Sequence, residues 1–319
     1  MTDIVVSIVC ITYNQEKYIA EAIDGFLMQK TNFNYEILIQ DDASTDQTAD
    51  IIRKYEMRYP DIIRPVYQTQ NQYSKGIHVL DFYQAYARGR YIAICEGDDY
   101  WTDPNKLQKQ VDYMMKHPDC SACVHGAIKV DAITGKTVGI VRPSPRSRDF
   151  TVEEVILGGG GLFATNSILY DRAFSKHPEF YYNCPIGDYP LMIHLAISGR
   201  VHYMQEVMSA YRIGAVSSWT YQISRASIDK RMDHIDKIEM MLKEVDEYTN
   251  KEYTDTIDKK IKKNRFELLV SLGDYEGIKS DTYKAHYRSL SLYKRLHIFI
   301  KQYFPHTTMF LKTRIRKNG

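Results

Sequence analysis

The stretch Tyr91-Ile92-Ala93-Ile94-Cys95-Glu96-Gly97-Asp98-Asp99-Tyr100-Trp101 decides how this chain is read. Its first five residues form a short apolar run, the pattern of a strand buried on both faces. The run stops at three carboxylates set around a glycine. Neighbouring carboxylates at a strand end repel each other and lose hydration, so a positive partner belongs beside them. A hard divalent cation shared with a phosphate supplies one, because Mg²⁺ and Mn²⁺ take oxygen ligands and often share few protein carboxylates with a substrate. An isolated Asp-Asp pair more often forms a solvated acidic turn. The flanking sequence must separate the two.

Toward the amino end, Ile4-Val5-Val6-Ser7-Ile8-Val9-Cys10-Ile11 is another continuous apolar run. Tyr18, Ile19, Ala22, Ile23, Phe26 and Leu27 then follow at helical spacing. A second strand is expected over residues 35–40, ending at Asp41-Asp42. A helix is expected over 46–57 with Ser44 or Thr45 as N-cap, a strand over 62–66, and a helix over 79–87. This alternation predicts an α/β fold, a mostly parallel sheet flanked by helices on both faces. Ligands of such sheets bind beyond the carboxyl ends of the strands. Thr12-Tyr13-Asn14, Asp41-Asp42 and Glu96 to Asp99 all fall on that one edge. The first turn, Thr12-Tyr13-Asn14-Gln15-Glu16, holds no glycine, which excludes a dinucleotide fingerprint. No Walker A sequence occurs. A sugar-1-phosphate nucleotidyltransferase would want a glycine-rich basic loop at that first turn, and it is missing.

Three motifs in order, Val6 to Val9 with Thr12 to Glu16, Ile39-Gln40-Asp41-Asp42-Ala43-Ser44-Thr45-Asp46-Gln47-Thr48, and Glu96 to Trp101, resemble family 2 glycosyltransferases. The resemblance covers residues 4–220 and continues through Thr102-Asp103-Pro104-Asn105-Lys106-Leu107-Gln108, where a helix is expected with Asp103 as N-cap and Pro104 at its first position. It implies the Rossmann-like GT-A fold and an inverting enzyme acting on a nucleotide sugar, most simply a UDP-sugar. On this resemblance Tyr13 and the backbone near Ile11 would flank the nucleobase, and Asp42 would accept from the uracil N–H, with Asp41 as second choice. Asp98 would reach the ribose, and Asp99 would ligate Mn²⁺ or Mg²⁺, whose charge eases departure of the diphosphate.

Inverting transfer also needs a general base on the acceptor hydroxyl. The family places a carboxylate at a helix start, and Gly187-Asp188-Tyr189-Pro190-Leu191 fits, which makes Asp188 the candidate. Glycine replaces the usual acidic neighbour. Many relatives carry a histidine after a late Tyr-Arg pair; Tyr211-Arg212 is followed by Ile213 to Trp219 with no histidine, so the metal would rest on Asp99, the diphosphate and water. Trp101, Gly160, Gly161 and Arg212 are expected near the donor or acceptor. The implied partners are a nucleotide-sugar donor and a saccharide or lipid-linked saccharide acceptor, in capsular, O-antigen or exopolysaccharide synthesis. A sugar-nucleotide-binding protein without transfer activity is the reading that remains if Asp188 is not a base.

The 319 residues are 44% hydrophobic and 26% charged, ordinary for a globular protein. Residues 1–224 carry 21 basic and 26 acidic side chains (−5), residues 225–319 carry 21 and 14 (+7), and from Thr282 onward nine are basic and none acidic. Two domains are expected: a catalytic one over 1–221, with a nucleotide-sugar half to about 103 and an acceptor half over 104–221, and a helical basic extension over 222–319. Apolar positions Ile235, Ile238, Met241, Leu242 and Val245 mark long exposed helices, and the basic amphipathic end is suited to an anionic membrane surface or to a second copy of the chain. No nucleic-acid motif accompanies the basic residues. Five cysteines, with only one C-x-x-C at Cys120 and Cys123, fit buried thiols better than disulfides or zinc. No signal peptide or membrane-spanning run is visible, so a cytoplasmic, peripherally membrane-bound protein is expected.

Overall fold

The computed structural model describes residues 3–75, 86–215 and 218–303. The chain divides into two compact units, Met1–Arg225 and Ala226–Gly319. The first begins β1 (Ile4–Thr12), α1 (Ile19–Leu27), β2 (Asn34–Asp41), α2 (Thr48–Arg58), β3 (Ile63–Tyr67) and β4 (Tyr91–Ile94). The helix expected over 79–87 falls outside the described residues but for its last two positions. There follow β5 (Tyr100–Trp101), α3 (Lys106–Lys116), β6 (Cys120–Asp131), β7 (Thr137–Val141) and β8 (Arg148–Phe150). Then come α4 (Val152–Gly158), β9 (Leu169–Asp171), α5 (Glu179–Tyr182), α6 (Asp188–Ser198), β10 (Arg200–Ile213) and α7 (Trp219–Arg225).

One sheet runs β3-β2-β1-β4-β9-β6-β10-β5, with β7 on β6 and β8 on β10. Its first four strands are parallel, as the alternation requires. The rest is more mixed than the sequence implied. β9 lies antiparallel between β4 and β6, and only β6 and β10 form a further parallel pair. Strand order reverses beside β1, between β2 and β4, which opens a crevice at their carboxyl ends.

The apolar runs bury as expected: Val6, Ile8, Ile37, Tyr91 and Ala93 join Ile23, Phe26 and Leu107 in one core. All five cysteines are free and buried. Two helix starts differ from the expectation. α2 begins at Thr48, whose N–H donates to Asp46 Oδ1 (2.9 Å), while Ser44 and Thr45 instead bond Asn14 in the neighbouring loop. α3 begins at Lys106, because Asp103 Oδ1 accepts from Asn105 N (2.8 Å) and caps the turn ahead of the helix.

The second unit comprises α8 (Ile228–Tyr248), α9 (Thr254–Leu272), α10 (Asp281–Ser289) and α11 (Leu292–Tyr303). Ile238, Met241, Leu242 and Val245 are its buried positions on α8. The apolar and basic residues beyond Tyr303 lie outside the described residues. Among those described, no helix is long and apolar enough to cross a membrane.

Candidate active site

The carboxyl edge of the parallel strands is laced together by its own loops. Asn14 N donates to Ser44 Oγ (2.9 Å), Thr45 N to Asn14 Oδ1 (2.8 Å), and Gln15 N to Thr48 Oγ1 (2.8 Å). Asn14 and Ala43 both hold positive φ, 53° and 61°. Asparagine tolerates that region, but alanine does so at a cost, and such strain collects where a loop must keep one shape for a ligand. Beyond β4 the chain stays beside β1, with Gly97 N donating to the Ile11 carbonyl (2.9 Å). A Cβ at Gly97 would lie 2.5 Å from Gln15 Oε1 and 2.8 Å from Thr12 Cβ, so only glycine lets the acidic turn press on the first loop.

Glu96, Asp98, Asp99 and Asp188 are pushed up in pKa. Glu96 rises to about 8 through burial, with the charges of Asp98 and Asp188 adding to it. Asp98 rises through burial, against its own backbone N–H, the Arg212 charge and a Gln15 hydrogen bond. Asp99 is raised well above the usual range, through burial and then the charges of Asp98 and Glu96. Asp188, the first residue of α6, rises through burial while Thr165 Oγ1 (3.2 Å to Oδ2) and Tyr189 N (2.8 Å to Oδ1) oppose it. Burial is the largest cause of each rise, and neighbouring carboxylates add to it at Glu96 and Asp99.

The expected residues divide by what they touch. Asp99 is buried, and both its oxygens are held by the fold: Oδ2 accepts from Asn166 Nδ2 and Oδ1 from Arg212 N, each at 2.8 Å. Each oxygen accepts one bond and keeps a further lone pair, so these contacts orient the carboxylate without using up its capacity. Arg212 is buried as well, sandwiched between the Tyr18 and Tyr100 rings, bonded to the Asp98 carbonyl and paired with Glu21. It braces the acidic turn rather than facing a donor. Trp101 lies in the core, 4.9 Å from the Phe26 ring, with its indole N–H on the Asn166 carbonyl (2.9 Å) and the Lys106 ammonium over its face. No sugar can stack on it. Ile11 contributes only its bonded backbone carbonyl.

The other expected residues differ in exposure. Tyr13 is 41% exposed at the end of β1. Asp42 is buried and accepts from Gln72 N (2.7 Å) and Tyr73 N (3.1 Å), whereas Asp41 is bonded to Ser44 N (3.4 Å) within its own loop. Gly159, Gly160 and Val155 line a small pocket with Asp188 and Tyr189, and a Cβ at Gly160 would stand 3.6 Å from Asp188 Oδ1. Gly161 meets nothing within 4 Å.

Asn166 and Thr165 were missed by sequence reasoning. Asn166 holds Asp99, the Ala210 carbonyl and Ser209 Oγ at once, partners far away in sequence. Nothing short of the fold brings these together.

The model of glycosyl transferase family 2 matches residues 7–166. The chain belongs to that family. An uncharacterized protein of Mycobacterium tuberculosis, Rv1520, is 41% identical over 215 residues, which are 67% of this chain and 60% of the relative. The chain thus spans about 60% of the mycobacterial relative's length. The Escherichia coli UDP-Glc:alpha-D-GlcNAc-diphosphoundecaprenol beta-1,3-glucosyltransferase WfgD is 34% identical over 118 residues, 37% of this chain and 44% of that protein. In fold, this family 2 chain is similar to the mannosyltransferase PcManGT of Pyrobaculum calidifontis, solved with GDP-Man and Mn²⁺, at a TM-score of 0.57 and 17% identity over 97% of this chain and 85% of that one.

Proposed function

We propose that this family 2 protein is an inverting glycosyltransferase that moves a sugar from a nucleoside diphosphate sugar to a hydroxyl of a saccharide acceptor. The observation that carries it is the placement of Asp188. A half-buried carboxylate opens a helix in a glycine-lined pocket, near enough to Glu96 to raise its pKa. Asp188 would take the acceptor hydroxyl's proton, with Thr165 and Tyr189 N holding its two oxygens in place. A raised pKa makes it a better base than an ordinary carboxylate once ionised.

The donor side is read from the same edge. Tyr13 offers its exposed ring to the base. Asp42 keeps spare lone pairs beyond its two backbone bonds, enough to accept a pyrimidine N–H. Clustered carboxylates fit a divalent cation: Asp99, oriented by Asn166 and the Arg212 backbone with lone pairs to spare, would hold it, and Asp98 would reach the ribose. Among the described residues no cluster of three or more His, Cys, Asp or Glu could hold a metal ion, so diphosphate and water oxygens would complete the shell. A bound Mn²⁺ or Mg²⁺ would screen charge on the departing diphosphate. UDP as carrier and a lipid-linked saccharide as acceptor, in bacterial surface-polysaccharide synthesis, are supported by the substrates in the name of the Escherichia coli relative.

The test is nucleoside diphosphate release from a panel of nucleotide sugars with and without Mn²⁺. Asp188→Asn should cut turnover by about 10²–10⁴-fold while nucleotide binding persists. Asp99→Ala should abolish the Mn²⁺ dependence of nucleotide binding. Turnover by Asp188→Asn at the wild-type rate would overturn the assignment of the base.

A further inference from the structure

We infer that Trp219 is a positioning residue for the nucleobase end of the donor site, acting through Tyr73 on Asp42. The loop over residues 71–75 is what holds Asp42. Asn71 Nδ2 donates to its backbone carbonyl (3.1 Å), and Gln72 N and Tyr73 N donate to its two carboxylate oxygens (2.7 and 3.1 Å). The loop ends in a 3₁₀ turn, Tyr73–Lys75, with Ser74 N donating to Asn71 Oδ1 (2.7 Å). A single 3₁₀ turn has poor hydrogen-bond geometry of its own, so contacts from elsewhere in the fold must keep its shape.

Trp219 supplies such a contact. It is the first residue of α7, half-buried, and its indole N–H donates to the Tyr73 hydroxyl. The indole carries one polar atom, a donor, so this bond fixes which way the ring is turned. The next residue, Thr220, meets the Tyr211 hydroxyl of β10 at 3.3 Å between oxygens. Both tyrosines feel the charge of Glu96. Consecutive residues of α7 are therefore tied to two rings beside the acidic turn, one from the Asp42 loop and one from β10. Without the Trp219 bond the loop loses its tie to α7, and the Asp42 carboxylate loses its fixed direction. The inference rests on the reading of Asp42 as the acceptor of a pyrimidine N–H.

Binding of UDP, and of ribose 5-diphosphate, which lacks the base, is measured by calorimetry with Mn²⁺ on wild type, W219F, Y73F and the double variant. W219F keeps an aromatic ring and removes the N–H. Y73F removes the acceptor from a ring that is 55% exposed, outside the core. Each should weaken UDP binding about fivefold, the net worth of one hydrogen bond. The double variant should lose no more than either single one, because both break the same contact. Ribose 5-diphosphate should bind all four proteins alike. Unchanged UDP affinity in W219F or in Y73F would overturn the inference and leave the Asp42 reading standing. An equal loss for ribose 5-diphosphate would overturn it too, since the tie would then support the whole site rather than its base end. Wild-type protein that binds ribose 5-diphosphate as tightly as UDP would instead refute the Asp42 reading, and the inference with it.

Discussion

At the residue scale, single carboxylates and one glycine carry most of the consequence. Asp188 must be ionised to accept a proton, and burial raises its pKa above the usual carboxylate value. The sign follows directly: activity is present above the raised pKa and lost as pH falls through it. The acid limb of kcat/KM should therefore lie at a higher pH than an exposed aspartate, near ~4, would give, and a pH–rate profile checks it. Gly97 makes a second, steric prediction. Gly97→Ala would drive a Cβ into Thr12 and Gln15, and overpacking of that kind costs about 1–3 kcal/mol. Urea unfolding should show the loss, and nucleotide affinity should fall with it because both displaced residues belong to the first loop.

At the element scale, helix ends decide where site residues point. α4 carries a full capping box: Thr151 Oγ1 accepts from Glu154 N (3.3 Å) and Glu154 Oε2 from Thr151 N (3.1 Å). Arg148 adds a bidentate pair to the same glutamate, 2.8 Å on each arm. The far end of α4 delivers Gly159, at φ 73°, into the wall of the Asp188 pocket. Thr151→Ala should cost about 1 kcal/mol, read as a lowered denaturation midpoint with an unchanged slope. Catalysis should hardly move, since the glycine wall is seated by Val155 and its neighbours rather than by the cap.

At the scale of the whole molecule, one buried charge ties the amino halves of three strands. Glu36 on β2 is buried and accepts from Ser7 Oγ (2.7 Å), Arg64 (2.7 Å) and Arg88, whose backbone N–H also donates (2.8 Å). Gly89 N donates to the same Ser7 hydroxyl (2.9 Å). Burial alone would push the Glu36 pKa up, but the hydrogen bonds from Arg88, Ser7 and Arg64 together bring it below the ordinary value. A depressed pKa means stability that is present above the unfolded value, about 4.3, and lost as pH falls through the folded one. Glu36→Gln should cost about 2 kcal/mol at neutral pH, less than a fully buried pair, because both arginines are partly hydrated. Stability measured against pH should fall less steeply below pH ~4 in the variant than in the wild type.

The sequence by itself determined the parallel half of the sheet and the edge on which the site lies. Periodicity of about 2 or 3.6 residues is a local property, and a strand that ends in carboxylates announces its end without help from distant residues. The family resemblance pointed to Asp188 at a helix start, and the helix does begin there. What the sequence could not decide was how the carboxylates of Glu96-Gly97-Asp98-Asp99 are oriented. That choice belongs to Asn166 and to the backbone of Arg212, which lie 67 and 113 residues from Asp99 and meet it only when the turn around Asn166, β10 and the acidic turn pack together. Trp101 and Arg212 were drawn inward by the same packing, one into the core and the other between two tyrosine rings. A hydrogen bond between distant residues leaves no local pattern, so only the tertiary structure could fix how Asp99 is held.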